Sequence, residues 1–114
     1  MVQAQASSAE ISKMLEDCKN FDPDVRQTGA SDLLNAFLRR EDSFEEAVER
    51  RIIEIWVTQL KDKNMEVKSN SVRCIKATSD RMREQNIMKV TDSLAGEIAS
   101  GNASDALDIY SLTL

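Results

Sequence analysis

Three carboxylates in the middle of the chain, Glu45, Glu46 and Glu49, come closest in type and spacing to a reactive site. Carboxylate oxygens bind divalent cations, and a bound cation can activate water for hydrolysis. The same acids also begin a predicted helix, where the positive end of the helix dipole favours negative charge. We therefore expect a solvated helix face here, with a small helical metal-dependent hydrolase as the remote alternative.

The rest of the sequence offers no catalytic constellation. It contains no histidine, and its two cysteines, Cys18 and Cys74, lie too far apart for a zinc-site pattern. It also lacks a glycine-rich phosphate loop and a nucleophile with a base at helical spacing. We expect no catalytic residue, no cofactor and no metal, so the protein is not predicted to be an enzyme. Both cysteines fall on apolar helix faces and are expected to be buried packing thiols.

The charge balance bears on the class of partner. The 20 acidic and 15 basic residues give a net charge of −5, whereas nucleic-acid binding needs a basic face for the phosphates. We therefore exclude nucleic acid and expect a partner with basic patches. No apolar run approaches the roughly 18 residues of a membrane-spanning helix, and no signal-peptide pattern opens the chain. Two unpaired cysteines suit a reducing compartment, so we expect the cytoplasm and nucleus.

Composition and capping signals predict an all-helical fold. Aromatic residues make up only 4% of the chain, with 3 glycines and 1 proline, too few for turn-rich β architecture. Capping residues before apolar residues at helical spacing predict helix starts at Ser8, at Asp22 with Pro23, at Ser43 in a capping box with Glu46, at Asn64, near Gln85 and at Ser104. The expected ends are near Asn20, Arg39, Leu60, Met82 and Gly101–Asn102.

A short motif occurs twice, as residues 22–26 (DPDVR) and, 42 residues later, as residues 64–68 (NMEVK). The same shift aligns Ile11 with Ile53 and Leu15 with Val57, so the preceding helices repeat as well. A period of about 40 residues is typical of HEAT and armadillo arrays. We predict an all-α fold, a HEAT/armadillo-like α-α superhelix that forms a single segment over 1–114. It would hold about two and a half helical-hairpin repeats at 8–40, 44–83 and 85–114, the last truncated.

The parts of the motif have distinct expected roles. The first residue caps a helix, the valine packs between helices, and the base, Arg26 or Lys68, is expected to reach acids of neighbouring turns. Gly29 and Ala30 are small enough to let another helix approach closely. Trp56 lies within an apolar stripe and is expected in the core rather than on a binding surface.

The outward faces of the second and fourth helices are the best predicted surface for a partner. Arg73, Lys76 and Arg83 line the outward stripe of the fourth helix, with Asp80 between them. This stripe is either a basic contact patch within an acidic protein or solvated surface. The residues expected to make contacts are Gln27, Ser31, Asn35, Arg73 and Lys76.

Several stretches go beyond a generic helical repeat. They are Ile11-Ser12 with Leu15-Glu16, Asp22 with Asp24-Val25-Arg26, Ala30 with Asp32-Leu33-Leu34, residues 49–53, residues 60–64 with 66–68, and residues 72–75. Together they resemble the N-terminal end of the cullin-associated and neddylation-dissociated protein family, from about Ile11 to the last residue. The most specific part runs from Asp62 to Val67, followed by Val72-Arg73-Cys74.

This resemblance implies a function in the regulation of ubiquitin ligases. Members of the family are long HEAT solenoids that wrap around a cullin and its RING-box protein, block neddylation and exchange substrate adaptors during assembly of SCF and related complexes. The resemblance places the N-terminal repeats near the RING-box protein and the cullin's C-terminal end. With about two and a half repeats, we expect a protein-binding module for the non-neddylated cullin–RING-box scaffold.

Two further interpretations stay open at the level of sequence. The first keeps the fold but changes the partner: a generic HEAT scaffold segment of a transport or phosphatase-regulatory protein. At its end, Ile109, Tyr110, Leu112 and Leu114 form a predicted apolar helix without a following repeat to cover it. We therefore expect self-association through this C-terminal helix.

Overall fold

The computed structural model describes residues 7–40 and 44–99, and these contain five α-helices and one short 3₁₀-helix. The helices are α1 (Ser8–Asp17), α2 (Pro23–Arg39), α3 (Glu46–Gln59), α4 (Met65–Thr78) and α5 (Glu84–Ala99), with the 3₁₀-helix at Ser79–Arg81. The two described ranges contain no strand, so the all-α prediction is confirmed. The predicted helix end at Gly101–Asn102, the helix from Ser104, the third motif copy and the self-associating helix lie outside the described residues.

The two copies of the motif begin α2 and α4 as predicted. A carboxylate oxygen of Asp22 accepts a hydrogen bond from the Asp24 N–H at 2.9 Å, and Pro23 occupies the first helical position. The side-chain oxygen of Asn64 accepts the N–H groups of Glu66 at 2.9 Å and Val67 at 3.1 Å. Each cap satisfies N–H groups that the first turn of a helix leaves without partners.

The first helix starts one residue earlier than its predicted cap. Ser7, not Ser8, is the N-cap, because its hydroxyl accepts the Glu10 N–H at 3.2 Å. The Glu10 carboxylate accepts the Ser7 N–H at 3.2 Å in return. This reciprocal pair is a capping box, and the position of Glu10 decides between the two adjacent serines.

The predicted capping box of the third helix is wrong. Glu45 is the N-cap of α3 and makes no side-chain capping hydrogen bond, and Glu46 stands at the first helical position. A box with Ser43 would require Glu46 at the third position, two residues further into the helix. Ser43 itself lies outside the described residues. The fourth helix is also shorter than expected, because the backbone tightens into the 3₁₀-helix after Thr78 before reaching Met82.

The sequence repeat of 42 residues is also a repeat in space. Most hydrogen bonds between α2 and the segment formed by α4 and its 3₁₀-helix join residues 42 to 44 positions apart, from Gln27 and Asn70 near one end to Leu38 and Arg81 near the other. A nearly constant separation means that the two helices run parallel and in register. Contacts between α3 and α5 run in the same direction along both helices, from Glu46 with Gln85 to Glu54 with Lys89, although their separation falls from 39 to 35 residues. Corresponding helices of successive hairpins therefore stack side by side.

A single apolar core lies between these helices. Trp56 is fully buried, its ring lies 6.0 Å from that of Phe37, and its indole N–H donates to the Ala30 carbonyl at 3.4 Å. The prediction that Trp56 belongs to the core is confirmed. Other fully buried apolar side chains come from α2, α3, α4 and α5 and include Leu33, Ile52, Ile53, Val67, Ile75 and Leu94.

Gly29 lets α2 approach the end of α1 closely, as its size predicted. A Cβ atom placed there would lie 2.9 Å from the Cys18 nitrogen and 3.0 Å from both the Met14 carbonyl oxygen and the Asp17 Cβ. Two of these three atoms belong to the backbone, which cannot rotate away as the end of a side chain can. By contrast, a Cβ at Gly96 on α5 would meet nothing within 4 Å.

We expect Gly29→Ala and Gly96→Ala to change stability in opposite directions. In a helix, alanine is more favourable than glycine by up to about 1 kcal/mol, so Gly96→Ala should raise the free energy of unfolding by roughly that amount. At position 29 the clash should outweigh this gain, with a net loss of about 1–3 kcal/mol. Urea denaturation of the two variants and the parent chain measures both changes. Equal stabilisation by both substitutions would show that α1 and α2 are not closely packed at Gly29.

Candidate partner-binding surface

The five predicted contact residues all lie on one side of the paired helices α2 and α4. Asn35, Arg73 and Lys76 are exposed, whereas Gln27 and Ser31 are half-buried. We call the surface formed by Gln27, Ser31, Asn35, Arg73 and Lys76 the outward face. The side chains of Asn35 and Lys76 have no hydrogen bond or ion pair to any other residue in the described ranges.

The side chain of Asn70, which the sequence analysis missed, holds part of the outward face together. It is 6% exposed, and its amide nitrogen donates to the Gln27 carbonyl at 3.3 Å. Its oxygen accepts from the Ser31 hydroxyl at 3.3 Å and from Nε and Nη2 of Arg73 at 3.2 and 2.8 Å. Nη2 of Arg73 also donates to the Ser31 hydroxyl at 3.2 Å. Asn70 thereby fixes the guanidinium of Arg73 over the seam between two repeats.

Basic side chains concentrate where α2 and α4 end. Arg39 is the last residue of α2 and is exposed, and Arg81 follows α4 in the 3₁₀-helix. Nη1 of Arg81 donates to the carbonyls of Phe37 at 3.4 Å and Leu38 at 3.2 Å, which are groups that the end of α2 leaves without helical partners. Leu38 is itself 41% exposed between these cations.

Arg83 does not belong to the basic stripe in which it was predicted. It lies beyond the 3₁₀-helix, directly before α5, and its guanidinium donates to Glu49 at 3.0 Å. The stripe prediction extended the period of α4 past Thr78, where the regular helix ends. Arg83 therefore links α3 to the start of α5 and is not part of the outward face.

Glu49 is fully buried, so the predicted solvated face of acids is wrong at this position. Its carboxylate accepts the Arg83 N–H at 2.9 Å, the Arg83 guanidinium at 3.0 Å and the side-chain amide of Asn86. These donors stand at the start of α5, where a negative group also complements the helix dipole. Glu45 and Glu46 remain exposed. Within the described ranges, no group of three or more His, Cys, Asp or Glu side chains could hold a metal ion.

The base of the first motif does reach an acid of the neighbouring turn. Nε and Nη2 of Arg26 donate to the two carboxylate oxygens of Asp62 at 2.9 and 3.0 Å. Nη1 of Arg26 donates to the Asn20 and Phe21 carbonyls of its own turn at 3.0 and 2.8 Å. Burial disfavours the charged form of Asp62. The hydrogen bonds from Arg26 and from the Asn64 N–H outweigh that effect and hold the pKa of Asp62 below its usual value.

Cys18 and Cys74 are buried packing thiols, as predicted. Burial raises the pKa of each thiol to about 12, and the Cys74 thiol lies 3.7 Å from the Ala30 carbonyl. A neutral, inaccessible thiol is a poor nucleophile. Neither cysteine therefore offers a reactive group at the surface.

We expect both thiols to resist alkylation at pH 8 in the folded protein and to react fully once it is denatured. In the unfolded chain a thiol ionises near pH 8.5, whereas the folded thiols stay neutral to about pH 12. The raised folded pKa therefore contributes stability that is complete below about pH 8.5 and is lost as the pH rises from there. Mass spectrometry after a timed iodoacetamide pulse measures labelling. Rapid native labelling of either cysteine would contradict its burial.

Comparison with known proteins finds relatives with the same type of name. No family model matches the chain. It is 26% identical over 105 residues, 92% of its own length, to "Cullin-associated NEDD8-dissociated protein 1" of Drosophila melanogaster. It is also 26% identical over 90 residues, 79% of its length, to "Cullin-associated NEDD8-dissociated protein 2" of Mus musculus. The matched parts make up only 8% and 7% of those proteins.

No helix in the described part of the chain is both long and apolar enough to cross a bilayer. The described residues form helical hairpins in which α4 packs beside α2, with a polar outward face that Asn70 holds together. The motifs of these hairpins led to the same family as the two relatives. The predicted resemblance of this chain to the cullin-associated and neddylation-dissociated protein family is therefore confirmed.

Proposed function

We propose that this chain is a HEAT-type protein-binding module that docks on the non-neddylated scaffold of a cullin and its RING-box protein. The observation that carries the proposal is the similarity, over 92% of the chain, to a protein named for its association with cullins. The stacked hairpins support it, because such stacks present long side surfaces for protein partners. The module acts by binding rather than catalysis, in the cytoplasm and nucleus, where it regulates ubiquitin ligases.

The outward face is the proposed contact surface. Arginine is enriched among the residues that dominate binding energy, and a side chain held in place before binding loses little further freedom. Arg73 meets both conditions, because Asn70 and Ser31 already orient its guanidinium. The exposed side chains of Asn35 and Lys76 lie on the same face.

Isothermal titration of the chain with a purified, non-neddylated cullin–RING-box complex tests this function. We expect saturable binding that weakens when the complex carries the NEDD8 modification. The surface control is the double variant Lys61→Glu/Lys63→Glu, whose two exposed lysines lie in the turn before α4, whereas Arg73 and Lys76 lie in the second half of that helix. The absence of binding to every cullin–RING-box complex tried, by a chain shown to be folded, would overturn the proposal.

A further inference from the structure

The strongest unassigned feature of the surface is a group of cations where two parallel helices end. Arg39, Arg73, Lys76 and Arg81 are all exposed, and none forms an ion pair with a carboxylate in the described ranges. Leu38 lies among them and is 41% exposed. We call Leu38, Arg39, Arg73, Lys76 and Arg81 the basic end; it joins Arg73 and Lys76 of the outward face to three neighbouring residues. Its local charge is opposite in sign to the net charge of −5.

The helix dipoles explain only part of this arrangement. Cations near helix C-termini are favoured, and Arg81 places Nη1 on the last carbonyls of α2. Arg73 stands within α4, five residues before its last residue, and is held by Asn70 and Ser31 instead of by a helix end. Asn70 and Ser31 therefore hold the guanidinium of Arg73 at a position where it does not stabilise the end of a helix.

The contacts of Arg73 also leave one side of its guanidinium available. Nε and Nη2 point at Asn70 and Ser31, whereas Nη1 has no hydrogen-bond partner in the described part of the chain. Such a group can donate to an incoming carboxylate with little loss of side-chain freedom. Lys76, one turn further along α4, and Arg39 and Arg81, at the level of Leu38, surround the same surface with positive charge.

We propose that the basic end binds an acidic segment of the partner protein, with a carboxylate on Arg73 and an apolar side chain against Leu38. Charge complementarity selects this occupant, because four cations without a carboxylate partner in the described ranges favour an anionic chain, and the exposed leucine favours one with an apolar residue. This inference rests on the proposed function and names the chemistry that the outward face recognises. The net charge alone predicted a partner with basic patches, and the local charge reverses that expectation for this surface.

A titration of the ¹⁵N-labelled chain tests the proposal. The probe is a short synthetic peptide in which aspartates and glutamates flank one central leucine. We expect amide shifts confined to the last turns of α2 and α4 and the 3₁₀-helix, and binding about tenfold weaker when the salt rises from about 50 to 300 mM. A peptide with the same leucine but with asparagine and glutamine in place of the acids should not bind. Equal binding of both peptides would overturn the proposal.

Variants in which basic residues are replaced by glutamate test where the peptide binds. Arg73→Glu should abolish peptide binding, and Arg39→Glu/Lys76→Glu should do the same without disturbing any described contact, which guards against misfolding of the first variant. The matched control Lys61→Glu/Lys63→Glu introduces the same charge change elsewhere and should keep the parent affinity. Loss of binding in the control, or its retention in both basic-end variants, would contradict the assignment.

Three further outcomes separate this inference from its alternatives. If a single-stranded oligonucleotide of the same length binds the same amides as tightly as the acidic peptide, the surface reads charge alone and the proposal fails. If the cullin–RING-box complex binds to the parent chain and equally to the basic-end variants, the proposed function stands and this inference is overturned. If the peptide binds as expected and no cullin–RING-box complex does, the proposed function fails instead.

Discussion

Replacing Glu49 with alanine is expected to lower the free energy of unfolding by about 3 kcal/mol, because it removes the buried acceptor of three hydrogen bonds. Glu49 is fully buried and accepts hydrogen bonds from the Arg83 N–H, the Arg83 guanidinium and the Asn86 amide. Without the carboxylate, the buried Asn86 side chain loses its acceptor and Arg83 loses its counter-charge. Urea denaturation followed by circular dichroism measures the loss.

Glu54→Ala is the matched control for this change. Glu54 lies on the same helix and also reaches a cation of α5, with 2.8 Å between its carboxylate and the Lys89 ammonium. Its side chain is 50% exposed, so water replaces the contact and the expected loss is below about 1 kcal/mol. Similar losses from the two substitutions would mean that burial does not govern the strength of the α3–α5 junction.

The sequence was enough to predict the parts of the fold that depend on near neighbours. Asp22 and Asn64 cap their helices through N–H groups two or three residues away, so the sequence pattern contains the whole interaction. The repeat was visible because equivalent positions carry equivalent residues. Of the adjacent serines, only Ser7 has a glutamate three residues later, so the local capping-box pattern already distinguishes it from Ser8.

Glu49 shows why the rest could not be predicted. In the sequence it is one of three acids in a first helical turn, which is also what a solvated helix start looks like. Its burial depends on Arg83 and Asn86, 34 and 37 residues away, whose positions follow from how α5 docks on α3. The stripe prediction for Arg83 failed for the same reason, since α4 ends before reaching it.

The outward face was predicted in part. Ser31 and Arg73 do meet, because the repeat shift of 42 residues places them at equivalent points of stacked helices. Asn70 was missed, although Val67, Asn70, Ser71 and Cys74 share a helical face and a buried polar residue there requires partners. The cluster of Leu38, Arg39 and Arg81 forms only when the helix ends are brought together, which the pattern of a single helix does not reveal.

Replacing Asp62 with asparagine is expected to destabilise the chain by about 1.5–3 kcal/mol at pH 7, the range for hydrogen bonds to charged groups. Arg26 and Asp62 form a two-point contact between successive turns, with side chains 20% and 12% exposed. The asparagine amide accepts at one atom only and provides no negative charge. Arg26 keeps its bonds to the Asn20 and Phe21 carbonyls, which limits the loss.

The loss of stability caused by Asp62→Asn should be smaller in acid than at pH 7. The pKa of Asp62 is lower in the folded protein than its usual value, because the Arg26 and Asn64 hydrogen bonds outweigh the effect of burial. The stabilisation by its charge is therefore fully present above the unfolded pKa of about 3.9 and disappears as the pH falls through the folded pKa. We expect the difference in free energy of unfolding between the parent chain and Asp62→Asn to shrink when urea denaturation is repeated well below pH 3.9.

The control is Asp92→Asn, at an exposed site on α5, which should stay within about 0.5 kcal/mol of the parent at pH 7. A difference between Asp62→Asn and the parent that is the same in acid as at pH 7 would show that the ionised carboxylate does not join the two turns.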